Sequence, residues 1–83
     1  MGFTVATWNI NSVRLRSGLV QRFLTESRPD ILCLQETKCP DDQFPASDLR
    51  KLGYTHIAIN GQKGYHGVAI LSRLPFAETT TRE

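Results

Sequence analysis

Residues 31–34 read Ile-Leu-Cys-Leu, four apolar side chains in succession between a Pro29-Asp30 break and the polar run Gln35-Glu36-Thr37-Lys38. An apolar run without polar alternation is the pattern of a strand buried on both faces, and such strands belong to sheets covered by helices. The polar cluster begins where that strand must leave its sheet. Open α/β sheets place ligands at this carboxyl edge, where a carboxylate sits on a stiff support, so Glu36 is the first candidate for function.

The residues before this strand give it a partner. Residues 3–8, Phe-Thr-Val-Ala-Thr-Trp, are β-branched and aromatic enough to predict a strand. The turn-formers Asn9, Asn11 and Ser12 come next. Over residues 17–27 the apolar positions Leu19, Val20, Phe23 and Leu24 recur every three to four residues, while Gln21, Arg22 and Glu26 fall on the other side. That spacing predicts a helix with one stripe toward a core. Ser17 is placed to cap its start, and Pro29 forces it to stop near Arg28. Strand, helix and strand within about thirty residues make a right-handed βαβ unit with parallel strands. Parallel strands share a carboxyl edge, so Asn9 and Glu36, each expected one residue past its strand, should meet there.

Beyond Lys38 the sequence predicts a loop over 39–44, and its Asp41 and Asp42 read as solvated groups remote from the sheet edge. A short helix is expected from Pro45 through Leu52, ended by Gly53. Residues 54–60 alternate as a strand does, with Tyr54, His56 and Ala58 on one face and Thr55, Ile57 and Ile59 on the other. Residues 68–71 form a second apolar run. These two strands are expected to pair as an antiparallel hairpin around a loop containing Gly61, Gly64 and Gly67.

Composition narrows the class. Eighty-three residues make one domain at most, burying about 60–65% of the surface the unfolded chain exposes. A hydrophobic content of 40% with 22% charged residues excludes disorder as a description of the whole chain. The net charge of +2 does not announce a nucleic-acid partner, so any basic surface must come from clustering of Arg14, Arg16, Lys38, Lys63 and Arg73. Cys33 lies within the apolar run as a small hydrophobe, and with Cys39 it matches no zinc spacing; both thiols are expected to be reduced. Neither a signal peptide nor a membrane-length apolar stretch is present, so a soluble, cytoplasmic chain is expected. A dinucleotide site is excluded by the lack of a G-x-G-x-x-G run after the first strand.

Two places can carry chemistry. Magnesium takes oxygen ligands, often one or two carboxylates completed by waters and phosphates, so Glu36 and the Asn9 amide fit part of such a site. The alternative is a glutamate that opens a loop and pairs with Lys38. In the loop at 60–67, glycine amides, the charge of Lys63 and the ring of Tyr65 fit contacts to phosphate, base or sugar. A plain hairpin loop with a surface tyrosine is the alternative there. His56 belongs to the strand pattern and reads as packed or edge-exposed, His66 in the loop could contact a substrate but has no evident carboxylate partner, and neither reads as a general base.

Three segments carry a resemblance: Thr7-Trp8-Asn9-Ile10-Asn11-Ser12-Val13-Arg14, residues 29–38, and Gly61-Gln62-Lys63-Gly64-Tyr65-His66-Gly67 continued through Arg73. In content, order and spacing they resemble the opening of the exodeoxyribonuclease III and abasic-site (AP) endonuclease family, within the endonuclease/exonuclease/phosphatase superfamily. The resemblance implies the N-terminal portion of a four-layer α/β sandwich, with a β-α-β unit followed by a short helix and a β-hairpin. Residues 1–83 would be a partial domain lacking its C-terminal remainder. It implies that Glu36 and Asn9 are catalytic and hold Mg2+, with Mn2+ as a possible substitute. It also puts Asn11, Arg14, Lys38, Lys63, Gly64 and Tyr65 on the DNA side of the site. The implied reaction is hydrolysis of DNA phosphodiesters, 5′ to an abasic sugar or stepwise from a 3′ end. Duplex DNA is then the partner, with no membrane and no obligate protein partner.

The family's Asp-x-Asn and Asp-His motifs do not occur: no aspartate here has asparagine two residues later, and neither histidine follows an aspartate. With the general base missing, the 83-residue chain is expected to be inactive alone. A small non-catalytic DNA-binding module and a superfamily phosphatase fragment are the competing readings. Physics adds a further expectation. Strands as apolar as 31–34 and 68–71 need cover on both faces, which two helices cannot supply, so apolar surface should be exposed.

Overall fold

A computed structural model, describing residues 4–60 and 67–75, pairs β1 (Val5–Asn9) with β2 (Ile31–Gln35) in parallel, and α1 (Ser17–Ser27) connects them. A 3-10 turn (Asp41–Gln43) and α2 (Ala46–Lys51) lead to β3 (His56–Asn60) and β4 (Val68–Ser72). The sheet order is β1-β2-β4-β3, with β4 antiparallel to both of its neighbours. The expected βαβ unit and antiparallel hairpin are both formed. The hairpin docks through its second strand, which leaves β3 parallel to β2. The carboxyl ends of β1, β2 and β3 and the amino end of β4 therefore share one edge.

Register divides the sheet into two unlike faces. Ala6, Leu32, Leu71 and Ile57 lie side by side, as do Trp8, Leu34, Ala69 and Ile59, and all eight belong to or pack against the core. Val20 and Leu24 of α1 and Leu49 of α2 join the same core, so both helices cover this face. Trp8 meets Phe23 edge to face with ring centroids 5.6 Å apart, a contact worth about 0.5–1.5 kcal/mol beyond its burial. The opposite face carries Val5, Ile31, Cys33, Ala58, Val68 and Ile70. Val5 is 54% exposed, Val68 48% and Ile70 38%. The expected exposed apolar surface is present on this face of the sheet, with Leu15, Leu19 and Leu74 exposed outside the sheet.

Local details depart from the sequence reading for physical reasons. Leu19 does not belong to the buried stripe of α1 but is 53% exposed, because Val20 and Leu24 take the inward positions. Ser17 is the first helical residue rather than the cap; its hydroxyl accepts from Gln21 Nε2 at 3.2 Å. The helix ends as Pro29 requires, with Arg28 in the left-handed region and its amide donating to Leu24 O at 3.1 Å. α2 begins at Ala46, one residue later than expected, and Gly53 follows it at φ +103°, a conformation a residue with a Cβ avoids. Tyr54 precedes β3 instead of opening it. Its ring is fully buried and its hydroxyl donates to Pro29 O, pinning this connection to the α1–β2 turn. No disulfide joins Cys33 to Cys39. Among the described residues, no helix is long and apolar enough to cross a membrane.

Asp30, read from sequence only as a break, fastens the amino edge of β2. Its carboxylate accepts from the Thr4 amide at 2.9 Å and from Arg73 Nη2, while its own amide donates to Thr4 Oγ1 at 3.0 Å. The Thr4 amide first, and the Arg73 guanidinium after it, hold this carboxyl below its ordinary value against a partial burial that works the other way. The carboxylate form is thus favoured by folding. Its contribution is complete above the ordinary aspartate range and is lost as pH falls from about 4 through the lower native value. Urea midpoints measured between neutral pH and pH 3 should fall along this limb, and Asp30→Asn should flatten the fall; an unaltered pH profile in the variant would count against the assignment.

Candidate functional site

The carboxyl edge of the β1–β2 pair is where the chain departs from regular geometry. The parallel pairing continues past the strand ends through backbone bonds: Ile10 N to Gln35 O at 3.0 Å, Ser12 N to Glu36 O at 2.9 Å and Val13 N to Thr37 O at 2.9 Å. Thr37 N donates to Gly67 O at 3.1 Å, which ties the entry of β4 to the same edge. Along these segments Asn11, Ser12, Glu36 and Lys38 all have positive φ, at 49°, 89°, 56° and 50°. Asparagine tolerates this region; for the others it costs about 1–3 kcal/mol each and persists only when the surroundings over-determine it. Such clusters are characteristic of functional edges.

At Glu36 the consequence is geometric. Leu32 and Leu34 point toward the helices, so an extended continuation would send residue 36 the same way. Asn9, in register with Gln35, belongs to the uncovered face. The left-handed turn at Glu36 breaks the alternation, and Asn9 Nδ2 donates to Glu36 Oε2 at 3.1 Å. The expected meeting of Asn9 and Glu36 is seen, with one refinement: Asn9 is the last residue of β1 rather than the first after it. Because an ionised carboxylate only accepts, this contact fixes the amide with nitrogen toward Glu36 and leaves Asn9 Oδ1 as an acceptor. Glu36 Oε1 makes no hydrogen bond among the described residues. The pair thus offers hard oxygen donors of the kind magnesium and manganese take, though no group of three acidic, histidine or cysteine side chains gathers among the described residues. Waters and phosphate oxygens would have to fill the rest of a shell.

The basic residues sort into two places. Lys38 does not pair with Glu36; its ammonium donates to Asn11 Oδ1 at 2.6 Å. Arg16 Nη1 donates to Asn11 O at 2.6 Å, and Arg14 donates to Gln43 Oε1. All three cations are held by neutral acceptors, two of them on Asn11 and one on the 3-10 turn. The 3-10 turn therefore lies against the segment after β1, closer to this edge than the sequence suggested. Arg73 stands at the opposite edge, bound to Asp30, and leaves the basic group. Lys63, Gly64 and Tyr65, with His66, lie outside the described residues, although the chain leaves β3 at Asn60 and enters β4 at Gly67 on the site's own edge.

An edge-bound carboxylate oriented by an asparagine, on a βαβ unit extended by a hairpin, defines a class. The chain belongs to the endonuclease/exonuclease/phosphatase family, whose profile matches residues 6–83. It is similar to exodeoxyribonuclease III of Haemophilus influenzae, at 39% identity over 67 residues covering 81% of this chain and 25% of that protein. Among solved structures it resembles an AP endonuclease from Archaeoglobus fulgidus, with a TM-score of 0.81 and 46% identity over 87% of this chain and 28% of the other. A 3′ phosphatase from Neisseria bound to product DNA hairpin matches equally, with a TM-score of 0.81 and 47% identity over 87% of this chain and 28% of that one. The chain spans about a quarter of the length of these relatives.

Proposed function

We propose that this chain is the opening part of a magnesium-dependent DNA-repair nuclease that hydrolyses DNA phosphodiesters at abasic sites and from 3′ ends. Residues 1–83 are, on this reading, part of one larger domain, and the 83-residue chain is inert by itself. The observation that carries the proposal is the Asn9–Glu36 contact, made across two strands by a glutamate in a strained conformation. The names of the relatives, an exodeoxyribonuclease, an AP endonuclease and a 3′ phosphatase bound to DNA, support the substrate class. The uncovered apolar face of the sheet supports the partial domain. A cytoplasmic location is part of the same reading.

Glu36 and Asn9 Oδ1 would hold the Mg2+, or Mn2+ in its place. Such a cation, when bound, stabilises charge on phosphate oxygens and acidifies a coordinated water. The chain's own contribution is orientation and charge. Asn9 fixes one carboxylate oxygen and leaves the other for a cation, while Arg14, Arg16 and Lys38 supply positive charge for the DNA backbone. Lys63, Gly64 and Tyr65 are assigned to DNA contact because the described residues that flank them in sequence, Asn60 and Gly67, lie at this edge. With Arg73 withdrawn, four cations remain, so the salt dependence of duplex binding should have a slope no steeper than about −3.6. Nothing in the sequence accepts the proton of the attacking water in the way an Asp-His pair would.

The test is cleavage of a duplex carrying one abasic analogue, by the 83-residue chain and by the longest form its coding DNA specifies, each with magnesium and with chelator. Chelator-sensitive cutting by the longest form alone is expected. Absent or chelator-insensitive cutting by that form overturns the nuclease reading, and cutting by the 83-residue chain overturns its inertness.

A further inference from the structure

We infer that Lys38 and Asn11 form a positioning bracket for the cation site, Lys38 tying the segment that carries Glu36 to the segment that carries Asn9 instead of serving only as a contact for DNA phosphate. The inference rests on the reading of Glu36 as a cation ligand. Its basis is where the Lys38 ammonium goes. A long, flexible cation beside a carboxylate would ordinarily pair with it, yet Nζ lies 2.6 Å from Asn11 Oδ1 and makes no ion pair among the described residues.

This bond joins two segments whose relative placement sets the site. Asn11 lies two residues after Asn9, and Lys38 two residues after Glu36, so the Lys38–Asn11 bond repeats the Asn9–Glu36 bond further along the same pair of segments. Backbone bonds from Ser12 N to Glu36 O and from Val13 N to Thr37 O join the same two segments. Both ends of the bracket, Asn11 and Lys38, are left-handed, as is Glu36. Extended segments would diverge past the strand ends. Here they stay joined, and among the described residues the only side-chain bonds crossing between residues 9–12 and 36–38 are these two. Arg16, donating to the Asn11 carbonyl, holds the asparagine from its other side and leaves its side chain for Lys38. The chemistry of Asn11 suits it to this place, since its neutral Oδ1 accepts from the ammonium without cancelling its charge. Lys38 can then position the site and still attract a polyanion.

Geometry and electrostatics make opposite claims about one measurement. Removing a positive charge near a carboxylate should tighten cation binding a few-fold. Removing a group that orients a ligand weakens metal affinity by about 10- to 100-fold. The experiment titrates Mn2+ into the full chain without DNA, following the free-ion electron paramagnetic resonance signal, for wild type, Lys38→Met, Asn11→Ala and the double variant. Each single variant is expected to weaken Mn2+ binding by at least about tenfold, and the double variant to be no weaker than the worse single one, the signature of one shared contact. Lys38→Arg, which can still reach Asn11 Oδ1, should recover most of the affinity. Tighter or unchanged binding in Lys38→Met, or additive losses in the double variant, overturns the bracket. Should Lys38→Met fail to fold by circular dichroism, Asn11→Ala and Lys38→Arg carry the same decision. Glu36→Ala is measured alongside: if it leaves Mn2+ binding intact, the cation-site reading itself fails, whereas loss only in Glu36→Ala leaves that reading standing and removes the bracket alone.

Discussion

Glu36→Gln is expected to lower magnesium-dependent cleavage of an abasic-site duplex by about 100-fold or more in the longest form of the protein. Mn2+ affinity should fall by a comparable factor. Glutamine is the informative replacement because it isolates charge. Asn9 Nδ2 can still donate to an amide oxygen at residue 36, the left-handed backbone is undisturbed, and no cavity is made. What disappears is the negative charge, which a neutral amide oxygen does not replace for a hard divalent cation. Folding should be unaffected, so the urea midpoint serves as the control. Asp48→Asn, a change at an exposed carboxylate on α2, should leave cleavage alone. Full activity of Glu36→Gln at low magnesium would refute the ligand role.

What the sequence revealed and what it hid follow a physical division. The βαβ unit was legible because each of its parts is locally encoded: the apolar run at 31–34, the helical spacing of Val20, Phe23 and Leu24, and the stop at Pro29. From those, parallel pairing follows, and with it the approach of Asn9 to Glu36. The insertion of β4 between β2 and β3 was not legible, because which hairpin strand docks is decided by non-local packing of Ala69 and Leu71 against Leu32 and Leu34.

The finer geometry of the site was hidden for another reason. Left-handed backbone is signalled by glycine, and none of Asn11, Ser12, Glu36 or Lys38 is one. Only the asparagine hinted at it. Charge misled in a related way: Arg73 and Lys38 look alike in sequence, but one fastens the amino edge to Asp30 and the other reaches Asn11 at the carboxyl edge. The Pro29-Asp30 pair held more than a break signal, since Asp30 collects Thr4 and Arg73 and Pro29 O receives Tyr54.

The sharpest stability contrast lies across the thickness of β2 and β4. Leu32, fully buried on the covered face, is flanked by Ala6 and Leu71, and Leu32→Ala should cost about 2–5 kcal/mol. A domain of this size has about 4–12 kcal/mol in total, so the variant should lose much of its urea resistance or fail to fold. Ile70, beside Cys33 and Ala58 on the other face, is 38% exposed. In the 83-residue chain Ile70→Ala should therefore cost less than about 1 kcal/mol. If the rest of a larger domain covers that face, the same substitution in the longest form should approach the cost of Leu32→Ala, because the removed methyl groups would then leave a cavity. Equal, small effects of Ile70→Ala in both forms would mean that the face stays open to water, and the partial-domain proposal would fall.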